Sequence, residues 1–328
     1  MNKAQCYIFS ILSIALALTF SFPLAMASKP IIGVIFGSVL VALGGVFAER
    51  SGVINLGLEG GMIFGAFIGA IVCKGIIEKN QAELASNQGV FILGMFVSAI
   101  AGAIFSLLLS FSAINLKADQ TIGGTALNLL APAIVLTFGL LIPSIGSDKV
   151  DSHASFALGG ENYLSTYICI ALFIALSIWL YKSKVGMHLR SCGEHPSAAD
   201  SVGINVYKMR YLGTTISGAL AGLGGFVYVF TRSAGIAESS VAGLGFLALA
   251  IMIFGNWNPV LIALGSLLFG FLKCLGVQYS NTFLKALNLP IYFYNMLPYI
   301  VVIVVLIFSR NKSGVPKAEG IPYDKGAR

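Results

Sequence analysis

Charge is scarce in this chain: Asp, Glu, Lys and Arg make up only 10% of its 328 residues, against roughly 25% in a soluble domain. Mean hydropathy is +0.89, which excludes a water-soluble globular fold. Histidine is confined to His153, His188 and His195, all in polar links and none within an HExxH. The five cysteines, Cys6, Cys73, Cys169, Cys192 and Cys274, stand singly, with no CxxC. A disulfide framework, a metal centre and a clustered acid–base or nucleophilic site are therefore all unsupported. There is no Gly-Lys dipeptide, so the chain has no GxxxxGK[ST] phosphate loop and any ATP must be hydrolysed by another subunit. Period-two alternation, the mark of an outer-membrane barrel, is also missing.

What is present is a series of apolar runs near the roughly 20 residues that cross a bilayer as a helix. They lie at Tyr7–Met26, Ile31–Ala48, Leu58–Cys73, Val90–Ala113, Ile122–Ile142, Tyr163–Tyr181, Tyr211–Phe230, Val241–Phe254, Pro259–Tyr279 and Ile291–Phe308. The reading is an all-α polytopic membrane protein with about 10 transmembrane helices. The count falls to 9 if the first is cleaved, because Lys3, an apolar run and Ala25-Met26-Ala27 also fit a signal peptide. Residues 1–29 form that first segment, 30–310 the transmembrane domain and 311–328 a tail.

The net charge of +7 matters through its placement and does not indicate a nucleic-acid surface. Lys182, Lys184, Arg190, Lys208 and Arg210 fill the link after the sixth run, and the tail from Arg310 is also basic. The positive-inside rule puts both in the cytoplasm, with both chain ends inside. Ser144–Asn162, carrying Asp148, Asp151 and Glu161, then faces outward, as does Leu284–Pro290.

Two segments break the apolar pattern. Glu49–Phe64, ERSGVINLGLEGGMIF, places charge, Asn55 and Gly52, Gly57, Gly60 and Gly61 between two runs. Such backbone is tolerated at depth only if protein buries it or it lines a polar cavity; the alternative is a surface loop whose glycines let helices approach. The second segment is the 182–210 link. There His195-Pro196-Ser197 signals a helix start, Ser197–Val202 a short helix and Gly203 its stop. Ala198 and Ala199 would give that helix a small, flat face able to dock on a soluble partner; the alternative is an ordinary solvated connection.

These residues carry a resemblance. LGGVFAERSGVINLGLEGGMIFGAF, from Leu43 to Phe67, together with VGMHLRSCGEHPSAADSVGINVYKMR and the following SGALAGLGGF, resembles the permease subunit of bacterial ABC importers. The class is the branched-chain amino acid and simple-sugar one, in its nucleoside branch that works with a basic-membrane-protein-type binding lipoprotein. The likeness runs from about Ile31 to Arg310. It implies a bacterial inner-membrane protein that is not an enzyme and holds no cofactor, ATP and magnesium being bound by a cytoplasmic ABC ATPase. It also implies a second, related permease subunit.

The 182–210 loop then corresponds to a cytoplasmic coupling helix that seats in the ATPase. Gly193, Glu194, Pro196, Ala198, Ala199 and Gly203 fall on the family's GENPxAA…G pattern, and His195 stands where Asn or Asp is usual. Gly255-Asn256-Trp257-Asn258-Pro259 resembles a GRWHP turn with Asn256 for Arg and Asn258 for His. Nucleosides are uncharged, ring-bearing and polyhydroxylated, so a path for them should offer amide and hydroxyl partners between apolar walls. Asn55 and Glu59, with Asn128 in GGTALNLLAP, are the lining candidates.

The rivals are the same machinery importing simple sugars, and a secondary transporter. The latter needs ionisable groups within its spans, and Lys273 is the one clear case, read here as snorkelling along its alkyl chain to an interface.

Overall fold

The computed structural model describes residues 28–80, 88–142, 149–151, 164–232, 236–277, 290–308 and 314–325. The first apolar run, nearly all of Ser144–Asn162 and most of Leu284–Pro290 lie outside them. Without water to bond, an apolar backbone must satisfy its own N–H and C=O groups, which a helix does segment by segment. The apolar runs accordingly become α1 (Ser28–Arg50), α2 (Leu58–Asn80), α3 (Gln88–Ser110), α4 (Gln120–Leu141) and α5 (Leu164–Lys182). After these come two polar helices, α6 (Lys184–Glu194) and α7 (Pro196–Ser201), then α8 (Val206–Arg232), α9 (Leu244–Phe254), α10 (Pro259–Val277) and α11 (Ile291–Phe308). The chain is thus mostly helical, and the two-residue strands β1 (Val150–Asp151) and β2 (Ile236–Ala237) pair antiparallel.

Among the described residues five helices, α1, α2, α3, α4 and α8, are long and apolar enough to cross a membrane. The pair α5–α6, bent by 67° where Ser183 separates them, makes a sixth if it is counted as one span. Ser183 is extended and its hydroxyl accepts Gly186 N–H at 3.0 Å, capping α6 and fixing the bend. Large apolar side chains stay exposed along α3 and α4, among them Phe96, Ile104, Leu129 and Leu141. Water would oppose such a surface and hydrocarbon accepts it.

The run expected at Val241–Phe254 is not helical throughout. Its helix is α9, 11 residues and so about 16 Å long, half the ~30 Å of a bilayer core. The cause lies just upstream: Ala242 and Gly243 have φ of 54° and 73°, a left-handed conformation through which a right-handed helix cannot run.

Helix α8 is the hub. It packs on α1, α2 and α3 together, and the SGALAGLGGF glycines make this possible. A Cβ on Gly222 would lie 2.2 Å from the Ser98 carbonyl of α3, while one on Gly225 would lie 2.2 Å from the Met62 carbonyl of α2. On a further face, a Cβ at Gly224 would lie 2.5 Å from Val41 of α1. With lipid outside as apolar as leucine inside, close backbone contact of this kind is what holds helices together. Around it pack Phe91, Phe226 and Phe230, whose rings contact one another at centroid distances of 4.1–5.9 Å.

The two ends of the bundle differ. At the N-terminal end of α8, Tyr211 donates to Asn115, Arg50 pairs with Glu194 at 3.8 Å and Lys117 with Asp324 at 2.6 Å. At its other end lie the β1–β2 pair and the Lys149–Glu238 ion pair at 2.8 Å. Twenty-seven helical residues, about 40 Å, separate these ends.

Replacing Gly222 by Leu puts a side chain into the α3 backbone at Ser98 and Gly102. The expected result is a loss of at least about 3 kcal/mol, read as a lowered unfolding temperature in detergent.

Candidate functional site

The chain between α1 and α2, Ser51 to Gly57, is not helical, yet most of it is buried. Backbone groups freed by the break must find other partners. Two side chains of a distant helix, α4, supply several of them. Gln120, at the start of α4, accepts Ile54 N–H at 2.7 Å. Asn128, two turns on, accepts Gly60 N–H at 2.8 Å and donates to the Leu56 carbonyl at 2.8 Å. Asn55 accepts Gly57 N–H at 3.0 Å and donates to Ser217 of α8 at 2.8 Å. The start of α4 is itself fixed by Asp119, which accepts from Thr121 and Ile122; those N–H groups hold its carboxyl below the usual range.

The second break, before α9, meets the first. Glu59, in the opening turn of α2, accepts Gly243 N–H at 3.0 Å and Gly245 N–H at 2.6 Å. One carboxylate therefore sits at the N-termini of two helices, α2 and α9, where the positive ends of their dipoles favour it. Gly245 has to lack a side chain, since a Cβ there would lie 2.6 Å from the Glu59 Cα. Lys273 of α10 donates to the Ala242 carbonyl at 2.9 Å and to the Tyr299 hydroxyl of α11 at 3.2 Å, and it is buried. The snorkelling expected of Lys273 is thus replaced by a bond to the broken backbone, because the positive φ of Ala242 and Gly243 turns carbonyls away from helical partners.

All three expected lining residues, Asn55, Glu59 and Asn128, converge on the α1–α2 break. In this conformation their polar atoms bond the protein itself. Tyr299 and Ser217 join them, and no sequence signal marked either: a tyrosine or serine within an apolar run looks like any other helix residue. Among the described residues no group of three His, Cys, Asp or Glu could hold a metal ion.

At the α8 N-terminal end, α7 begins at Pro196 and Gly203 stops it with φ +87°, as the sequence suggests. Gly193 lets α6 touch the end of α1, where a Cβ would lie 2.3 Å from the Arg50 carbonyl. Glu194 pairs with Arg50. Ala198 is exposed, while Ala199 is buried in a cluster with Cys192, Val206 and Tyr323. The two alanines therefore do not share an open face. Met187 of α6 is 50% exposed and Val202, just after α7, is 75% exposed.

The family model of the branched-chain amino acid transport system permease component matches residues 29–306. The chain belongs to this family. The guanosine ABC transporter permease protein NupQ of Bacillus subtilis is 38% identical, over 88% of this chain and 93% of its own. The nucleoside ABC transporter permease protein NupC of Lactococcus lactis is 35% identical over the same shares. A putative glucose ABC transporter permease protein, TsgC13 of Haloferax volcanii, is 30% identical over 73% of each chain. No solved structure matches. The permease is a multi-pass membrane protein and a transport component, not an enzyme.

For such a protein the paired breaks are a place where two helix ends meet through one carboxylate and two carboxamides. Asn128→Leu would leave Gly60 N–H and the Leu56 carbonyl buried without partners. The expected cost is about 1–3 kcal/mol for each group, seen as a lowered unfolding temperature with membrane insertion retained.

Proposed function

We propose that this permease forms the transmembrane pathway of an ATP-driven importer for nucleosides in a bacterial inner membrane. Its partners are a cytoplasmic ABC ATPase, a second related permease chain and an extracytoplasmic binding lipoprotein. The observation that carries the substrate class is identity of 38% and 35%, over 88% of the chain, to permeases named for guanosine and nucleosides. Simple sugars are the second reading, favoured by the 30% likeness to the putative glucose permease. Both substrates are uncharged and polyhydroxylated, so amides, hydroxyls and a carboxylate suit either.

The chain has ten spans and both ends in the cytoplasm. The basic 182–210 link and the tail supply the positive-inside signal, and their contacts at one end of α8 agree with it. The segment 182–210 couples to the ATPase through the surface around Ala198, Met187 and Val202. Gly193, Glu194, Pro196, Ala199 and Gly203 belong to the same coupling segment, and Asn55, Glu59 and Asn128 border the pathway.

Four measurements test this. Labelled guanosine, ribose and leucine are offered to the reconstituted transporter with its binding protein and ATPase; guanosine is taken up, and transport of ribose or leucine without any nucleoside overturns the substrate class. Impermeant thiol labelling in intact cells modifies Asp151→Cys and spares Lys317→Cys; the reverse overturns the orientation. Ala198→Trp, on the exposed face, inserts normally but copurifies at least tenfold less ATPase. Ala199→Trp, buried, lowers the permease's own stability by about 1–3 kcal/mol.

A further inference from the structure

The tail beyond α11 is not a free end. Residues 314–325 have no regular structure, yet they are tied at several points to the same end of the bundle. Gly314 N–H bonds the Asn256 carboxamide in the α9–α10 turn, and Ala318 N–H bonds the Gly193 carbonyl at the end of α6 at 2.9 Å. Gly320 N–H reaches the Gly52 carbonyl in the α1–α2 break at 3.3 Å. A Cβ on Gly320 would lie 2.8 Å from Ile54, so the contact there is close, and its φ of +73° suits glycine.

Beyond that point the tail lies against α8. The Arg210 guanidinium, 1% exposed, donates to the Ile321 carbonyl at 2.9 Å. Tyr323 is buried with Cys192, Ala199 and Val206, its ring 5.6 Å from that of Tyr207. Lys325 pairs with Asp200 of α7 at 3.5 Å, and Lys117 with Asp324 at 2.6 Å. The Lys117–Asp324 pair is exposed on both sides and contributes little. The backbone ties and the Tyr323 packing are the stronger attachments.

We infer that residues 314–325 are a strap that binds the coupling helices α6 and α7 to the α1–α2 break, so that displacement of the coupling helices is carried to the segment holding Asn55 and Glu59. The strap touches Gly193 and Asp200 on one side and Gly52 and Ile54 on the other. Ile54 adjoins Asn55 in the chain. A stiff connection of this sort needs no hinge, and Pro316 and Pro322 restrict the strap's backbone. The inference rests on the reading of α6–α7 as the ATPase-facing element.

Cys192 provides a readout independent of transport, because it is buried in the cluster that Tyr323 completes. In the full complex, maleimide modification of Cys192, located by peptide mass spectrometry, is slow in the native chain and at least tenfold faster in Tyr323→Ala. Nucleoside uptake by that variant falls at least fivefold while its ATPase stays bound and still hydrolyses ATP. Tyr323→Phe, which keeps the ring and the backbone carbonyl, matches the native chain in both measurements.

Ala318→Pro removes the N–H given to Gly193 without hollowing the cluster, and gives the same loss of uptake should Tyr323→Ala insert poorly. Unchanged uptake in a variant whose Cys192 has become reactive overturns the strap, as does native Cys192 reacting as fast as in Tyr323→Ala. Loss of the ATPase from Tyr323→Ala also overturns it, because the tail would then be part of the ATPase seat. Failure of the underlying reading looks different: Ala198→Trp retains its ATPase, whatever Cys192 does.

Discussion

Every non-helical peptide group inside a membrane protein needs a partner that water cannot provide, and this requirement organises the centre of the permease. Among the described residues, Ser51–Gly57 and the stretch before Leu244 leave helical geometry and meet each other. Their N–H and C=O groups are taken up by Gln120, Asn128, Glu59 and Lys273, each from a helix remote in sequence. An unpaired group there would cost on the order of 1–3 kcal/mol, so these side chains are fixed by the breaks as much as the breaks are fixed by them. The helices that carry them are consequently held at one mutual depth.

Such a centre requires helices close enough for side chains to reach across, and α8 supplies that closeness. Its glycines put its backbone against those of α2 and α3, with Gly65 and Gly102 answering Gly222 from the other side. Ser217, on the same helix, meets Asn55 at the break. The packing and the polar network therefore share residues a turn apart, and a change that pushes α8 outward also pulls Ser217 from Asn55. Buried networks of this kind either keep every member satisfied or become a liability.

Much of the helical layout was legible from hydropathy alone, since a 20-residue apolar run has few alternatives. The break at Glu49–Phe64 was legible from four glycines and a charge between such runs. The break before α9 was not, because Val241-Ala242-Gly243-Leu244-Gly245 reads as apolar while its left-handed turn depends on Lys273 and Glu59 meeting it from elsewhere. Asn55, Glu59 and Asn128 could be singled out as polar residues in apolar surroundings; that Asn128 bonds the backbone around the α1–α2 break and Glu59 the backbone before α9 is a tertiary fact. The short helix at Pro196–Ser201 followed from its proline start and glycine stop. Which of Ala198 and Ala199 faces out did not, since the tail that covers Ala199 lies over a hundred residues away in the sequence.

Glu59 draws these points together. Its side chain closes the N-terminus of α9, and Gly245 is bare so that it can approach. The first turn of α2 also holds Gly60, bonded to Asn128, and follows directly on Asn55, bonded to Ser217. A polar molecule entering here competes for acceptors and donors that already have partners, and gains only the difference between two sets of hydrogen bonds. Weak holding of this kind would suit the proposed pathway, which must release what it admits. Rearranging the set means moving α9 or α4 relative to α2, and motion of the α1–α2 break is a direct way to do so, because Asn55 and Glu59 are carried on it.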